Sequence, residues 1–193
     1  MYKALNFSAF SFDFWYNIIG DDMSSFIPDA YYKSVFDINY DKLSNKGIKV
    51  LFFDFDNTII EHDSYSISEK TKKFFKKINN NFIIYVISNS FNSKKLDNIC
   101  NELKIPCIKR SMKPLGFGYR KVKFKGIKNK EIAMIGDQLL TDIYGANRRG
   151  YYSILVDPLK QKTEVVFTKF NRIFENKIFN NKENNIKRGS YYD

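Results

Sequence analysis

No stretch of this 193-residue sequence is apolar for long enough to cross a bilayer. The longest uninterrupted apolar runs are strand-sized segments such as Phe82–Ile87, against the roughly 18 residues that a membrane-spanning helix needs. Cysteine is scarce: Cys100 and Cys107 form no CxxC pair, and only His62 could join them as a soft ligand. That set is too small for a zinc site and gives no disulfide framework, so reduced thiols in the cytoplasm are the simplest account. The amino-terminus is aromatic, but Asp13 interrupts it and no small-residue cleavage site follows, which makes a poor secretory leader. Together these absences predict a cytoplasmic protein. Negative charge is in deficit, with 21 acidic residues against 32 Lys and Arg and a formal charge of +11. The excess favours nucleic acid, an acidic membrane surface or a phosphorylated substrate, and it equally suits a solvated lysine-rich surface. Internal repeats, an aromatic stacking platform and a regular basic repeat are all missing, so nucleic acid is the less favoured anion.

What is present is a globular composition, 44% hydrophobic, in a chain long enough for one α/β domain with a sizeable core. Strand-like and helix-like segments alternate from Ile48 onward. Ile48–Phe55, Phe82–Ile87, Ile105–Ile108, Glu131–Ile135 and Ser153–Val156 read as strands. Between them, Ile67, Thr71, Phe74, Phe75 and Ile78 share a helical face, with capping-box spacing at Ser66–Glu69. Leu96, Ile99, Cys100 and Leu103 mark a second helix. Leu115–Lys123, Leu139–Arg148 and Val165–Ile178 are expected to be helical too. This β–α order predicts a doubly wound parallel sheet covered on both faces. Residues 1–26 read as an aromatic-rich extension, 27–179 as the domain, and 180–193 as a polar, basic, disordered tail. In the extension, Phe7, Phe10, Phe14 and Ile18 can share a helical face.

Four short motifs carry chemistry, each at or just beyond the end of an expected strand. Asp54-Phe55-Asp56-Asn57-Thr58 follows a buried apolar run, where a turn brings carboxylates spaced i, i+2 to one site. The same residues also suit an acidic turn with Thr58 capping the next helix. Ser88-Asn89 ends the next strand, placing a hydroxyl and main-chain N–H groups where a phosphoryl oxygen binds, and it is also an ordinary helix cap. Lys113-Pro114 places a compact cation at a helix entrance. Gly136-Asp137-Gln138-Leu139-Leu140-Thr141-Asp142 sets two acids around a glycine-opened turn, as a hard cation with oxygen ligands requires. In open α/β sheets ligands bind at the carboxyl ends of the strands.

This ordered Asp, Ser, Lys, Asp set resembles the haloacid dehalogenase (HAD) superfamily. The resemblance implies a HAD-like, Rossmannoid α/β fold and a phosphatase working through an aspartyl-phosphate. Asp54 would be the nucleophile and Asp56 the general acid and base. Magnesium would be held by Asp54, the main-chain carbonyl of Asp56, and Asp137. By the same resemblance Ser88 and Asn89 would bind the phosphoryl group, Lys113 would neutralise charge, Asp142 would support Lys113, and Thr58 would fix the loop after the nucleophile next to substrate. His62, just beyond this loop, can touch substrate or be structural.

The run from Gly136 to Gly150, then Tyr152–Leu159, is similar to the YqeG-type branch of HAD subclass IIIA. So is Pro28-Asp-Ala-Tyr-Tyr-Lys-Ser-Val-Phe-Asp-Ile38, followed by Gly47 and the Asp54 motif. This closer likeness implies a phosphatidylglycerophosphate phosphatase. It gives Asn147 and Arg148 a substrate-facing role, although Arg148 equally suits a helix carboxyl end. Only about 25 residues separate Thr58 from the next strand, and a similar number separates Asn89 from Lys113. Neither gap has room for a cap domain, so the site is expected to be open to a lipid headgroup still in its membrane. Peripheral contact with the inner face of an anionic membrane follows, helped by the basic surface and by Phe10, Phe14 and Trp15, which can instead pack on the domain itself. The alternatives are HAD phosphatases for nucleic-acid ends, a phosphoprotein or a small phosphometabolite, and more remotely a silent scaffold used as a binding module.

Overall fold

The computed structural model describes residues 23–90, 93–160, 187 and 189–193. The aromatic run at Phe7–Ile18 and the expected helix at Val165–Ile178 lie outside them. The strands are β1 (Ala30–Tyr32), β2 (Val50–Phe53), β3 (Ile83–Ile87), β4 (Cys107–Ile108), β5 (Ile132–Gly136) and β6 (Tyr152–Val156). The helices are α1 (Tyr40–Asn45), α2 (Glu69–Ile78), α3 (Ser93–Leu103) and α4 (Tyr144–Asn147). All six strands form one parallel sheet in the order β1-β6-β5-β2-β3-β4.

Parallel neighbours need long crossovers, and α2 and α3 supply them between β2 and β3 and between β3 and β4. The central strand β2 is apolar at every position because both faces are covered. Leu51 and Phe53 join the layer formed with Phe75, Ile78, Leu96 and Ile99, whereas Val50 and Phe52 join Met134, Tyr119 and Ala146 on the other side. Period-two alternation divides one run of hydrophobic residues between two cores. Helix α2 buries Thr71, Phe75 and Ile78, carries Lys76 and Lys77 in its last turn, and is capped by Ser68, whose side chain accepts from Thr71 N at 3.1 Å. The cap is thus Ser68 and not Ser66, since Ile67 turns into the core as the chain enters the helix.

Two expected helices take other forms. Leu115–Lys123 is a loop with a single 3-10 turn at Tyr119–Lys121, so Pro114 opens no helix. Gly116 has φ 84°, and Gly118 lies so close to Ser111 that a Cβ would sit 2.4 Å from the serine Cβ. Leu139–Arg148 is divided into a π-helical turn, Leu139–Ile143, and the short α4. The wide turn buries all five of its residues, including Asp142.

The boundaries also differ from the sequence pattern. Met23–Phe26, assigned to the extension, form a 3-10 turn on the domain, and Phe26 stacks on Tyr144 with centroids 4.6 Å apart. At the other end, residues 191–193 are not a loose tail. Tyr192 exchanges main-chain hydrogen bonds with Tyr31 (2.7 and 2.9 Å), and Asp193 pairs with Lys42 at 2.9 Å. Polarity suggested disorder, but tyrosine side chains bind here: Tyr191 Oη donates to Asp157 at 2.6 Å.

Phe75 is wholly buried and meets Phe53 edge-on at 5.0 Å, so Phe75→Ala should cost about 3–5 kcal/mol of stability. Ile83 is 46% exposed, and Ile83→Ala should cost less than about 1 kcal/mol. Urea unfolding of both variants checks the pair, and equal losses would place the core elsewhere.

Candidate active site

The four motifs meet at one edge of the sheet. From β2 the chain winds outward through β3 and β4, then crosses back to β5 on the opposite side of β2, so the carboxyl ends of β2 and β5 form the topological switch point. Asp54 leaves β2 and Asp137 leaves β5. Asp54 N donates to Ile135 O at 2.8 Å, which locks the two exits together. Asn57 adopts a left-handed conformation (φ 62°) that turns the loop and brings the Thr58 hydroxyl to Asp137 Oδ1 at 3.4 Å. The Thr58 hydroxyl therefore fixes a carboxylate of the cluster.

Lys113 is the centre of the constellation. Its Nζ donates to Asp54 Oδ1 (2.5 Å), Asp142 Oδ1 (2.7 Å) and Ile87 O (3.2 Å), and the residue is 6% exposed. Burial alone would lower the pKa of this ammonium, but Asp142 and Asp54 outweigh it and hold the pKa well above the usual lysine range. Asp54 shifts the other way from an ordinary carboxylate. Burial pushes it up to about 7, opposed by Lys113 and reinforced by Asp142 and Asp56. Asp142 accepts on both oxygens, from Lys113 and from Gln138 N at 3.2 Å, and packs against main chain at Gly136, where a Cβ would lie 2.3 Å from Oδ2. Only glycine fits there.

Oxygen atoms of Asp54, Asp137 and Asp142 lie within 4.8 Å of one another. Three carboxylates with one buried lysine are a hard-oxygen donor set with unbalanced negative charge, which suits a divalent cation that takes oxygen ligands. Because Asp142 is already held on both oxygens, Asp54 and Asp137 are the better placed to ligate.

Ser88 is buried, with its Oγ accepting from Ser90 N at 3.0 Å. Asn89, expected to bind substrate, is a splint instead. Its Nδ2 donates to Lys113 O (3.0 Å), and its Oδ1 accepts from Lys113 N (2.8 Å) and Ser111 Oγ (2.6 Å), so both ends of the amide hold the lysine loop. Asn147 is not substrate-facing either: its amide donates to Ser25 O and Ile27 O, both at 2.9 Å, pinning the segment before β1. Arg148 is the C-cap of α4, its guanidinium 5.4 Å from the Tyr144 ring centroid, a helix-end cation and not one converging on the carboxylates.

Sequence reading missed Lys95. Its Nζ is 3.0 Å from Asp56 Oδ1 and also donates to His62 O (2.7 Å) and Glu61 O (3.3 Å), with 5% of the side chain exposed. His62 Nδ1 lies 3.6 Å from the same carboxylate oxygen. The clue was spacing: Lys95, Ile99 and Leu103 fall at i, i+4 and i+8 on the apolar face of α3.

The raised Asp54 pKa has a definite linkage sign. Between its ordinary value near 3.8 and about 7, the folded protein holds a proton that the unfolded chain has released. Metal-free protein should therefore lose stability from Asp54 as pH rises through that window. The stability of the unsubstituted protein relative to Asp54→Asn should fall as pH rises from about 4 to about 7. Urea midpoints in chelator at several pH values test this, and a difference that stays constant or rises over that window would refute the assignment.

Comparison with known proteins relates the chain to phosphatases. The family model described as mitochondrial PGP phosphatase matches residues 16–160. The chain is 34% identical over 154 residues to a probable phosphatase, YqeG, of Bacillus subtilis, covering 79% of this chain and 89% of that protein. It is 28% identical over 158 residues to phosphatidylglycerophosphate phosphatase 1, chloroplastic/mitochondrial, of Arabidopsis thaliana, covering 77% of this chain and 45% of the relative, so it spans under half of that longer protein. A crystal structure of a HAD phosphatase from Thermococcus onnurineus superposes with TM-score 0.46 at 13% identity, over 66% of this chain and 98% of that one. With its family model matched over most of the domain and its acids gathered around Lys113, the chain belongs to the PGP phosphatase family, the YqeG-type branch of the HAD phosphatases.

Proposed function

We propose that the protein hydrolyses the terminal phosphate monoester of phosphatidylglycerophosphate, leaving phosphatidylglycerol, through an aspartyl-phosphate at Asp54. The observation that carries the chemistry is the Lys113 bridge between Asp54 and Asp142 at the switch point, within reach of Asp137. The lipid substrate is supported by the family match and by the lack of a cap between the motifs among the described residues. The described residues between Thr58 and β3 form α2, and those between Asn89 and Lys113 form α3 and β4, so neither stretch builds a layer over the site.

Asp54 attacks phosphorus in line as the bond to the leaving glycerol oxygen breaks, and Asp56 delivers a proton to that oxygen. Asp56 then takes a proton from a water that attacks the phosphorus of the acyl phosphate. Inorganic phosphate leaves and the Asp54 carboxylate is restored. Lys113 keeps Asp54 anionic and offsets charge on the equatorial phosphoryl oxygens, while Ser88 offers its hydroxyl to one of them. Asp54, Asp137 and the Asp56 carbonyl would hold magnesium, which would supply the remaining positive charge. Lys95 is a positioning residue: it fixes the Asp56 carboxylate without approaching phosphorus.

Phosphate release from phosphatidylglycerophosphate in mixed micelles with magnesium should be robust in the unsubstituted protein and vanish in Asp54→Asn. Hydrolysis of an aryl phosphate without activity on the lipid would keep the phosphatase and remove the lipid. Lys95→Met should lower kcat by roughly tenfold to a hundredfold while leaving magnesium affinity in place, because a displaced proton donor slows chemistry more than binding. An unchanged kcat would show that Lys95 is only structural.

A further inference from the structure

We propose that the loop carrying Lys113 is a membrane-docking face, with Met112, Leu115 and Phe117 entering the interface and Arg120 and Lys123 holding anionic headgroups. The purpose of such a face rests on the lipid-substrate reading, but its evidence is separate. From Leu103 to Lys130 the sequence has ten Lys and Arg and no Asp or Glu, so most of the chain's excess charge is concentrated around this loop. Lys113 is buried and paired, whereas Arg120, Lys121, Lys123 and Lys125 are exposed.

Exposed apolar side chains gather in the same place. Among the described residues, Met112 (51%), Leu115 (37%) and Phe117 (48%) are three large exposed hydrophobics within six positions. Isolated exposed hydrophobics need no explanation, but a cluster rimmed by charge of one sign does. Nor are they exposed because the loop is loose. Leu115 N donates to Met112 O (2.8 Å), Gly118 N donates to Ser111 O (2.7 Å), and the Asn89 amide clamps Lys113 from below. Gly116 lies against the Arg149 guanidinium so closely that a Cβ would be 1.2 Å from Nη2. Pro114 and Tyr119 fill the space beneath. The tips therefore have nowhere to turn but outward.

The chemistry fits a lipid surface better than a protein or a nucleic acid. Beside the loop is a cleft of about 730 Å³, lined in part by Pro114, Leu115, Arg120, Lys123, Arg148 and Arg149. It brings four cations and no acid beside apolar walls, as a phosphate headgroup continuous with a hydrocarbon chain demands. The Arg120 guanidinium lies 4.8 Å from the Phe117 ring centroid, the pairing of inserted aromatic and headgroup-level cation that an interface favours. Because Lys113 belongs to the same loop, docking there presents the lipid plane to Asp54.

The test is flotation of the full chain with vesicles of phosphatidylcholine alone or mixed with phosphatidylglycerol. The unsubstituted protein should float with the anionic vesicles only. Leu115→Ser/Phe117→Ser and Arg120→Gln/Lys123→Gln should each lose on the order of tenfold in partitioning, with hydrolysis of a soluble aryl phosphate unchanged. Absence of flotation, or full flotation by both double variants, overturns the proposal. So does binding of a single-stranded oligonucleotide through Arg120 and Lys123 by a protein that ignores vesicles. Vesicle binding that depends on the loop, together with no phosphate release from the lipid, would uphold the docking face and reject the substrate. Release from micelles without vesicle binding would do the reverse.

Discussion

The buried ammonium of Lys113 is the contact on which the rest of the site depends. It holds the carboxylate at the end of β2, the carboxylate of the turn after β5, and the carbonyl that closes β3. An unpaired charge at this depth would be costly, and loss of one partner from a buried ion pair commonly costs about 3–5 kcal/mol. The surroundings are arranged accordingly. Asn89 fixes the main chain of the lysine, Gly136 leaves room for Asp142, and the widened turn at Leu139–Ile143 carries that carboxylate inward. These three features all serve this one cation.

The same arrangement explains what the residue pattern could and could not reveal. Strands β2, β3, β5 and β6 were legible because strands inside a covered parallel sheet are mostly apolar, and the acids after β2 and β5 were legible because those runs end so abruptly. Helix α2 announced itself by spacing, although its cap lies at Ser68. Strand β1 left little trace, since three residues carry no periodicity. The segment at Leu115–Lys123 looked helical by composition, but its shape is set by tertiary contacts at Ser111 and Arg149. Asn89 and Asn147 were in the right stretch of chain with the wrong task, because a side-chain amide can bind substrate or main chain and only the fold decides. Lys95 was hidden by its company, a lysine among hydrophobic residues.

Charge is divided sharply along the molecule. Acids are concentrated at the switch point, where burial, reinforced by repulsion from Asp142 and Asp56, raises the Asp54 pKa and creates the demand for a cation. Bases are concentrated one loop away, in a stretch of sequence from Leu103 to Lys130 that has no acid of its own. A negatively charged substrate is thus attracted by the outer field before it meets the carboxylates, so the order of the charges along its path matters as much as their sum.

The sheet's outer edge is governed by a different constraint. Strand β1 would present bare N–H and C=O groups, but Tyr192 pairs with Tyr31 there, and Tyr191 and Tyr31 both donate to Asp157 just beyond β6. An unpaired edge strand is a template on which another copy can grow. Residues 191–193 act as a plug, so a proteolytic nick upstream of them would remove none of the residues around Lys113 yet would free the β1 edge to pair with another strand.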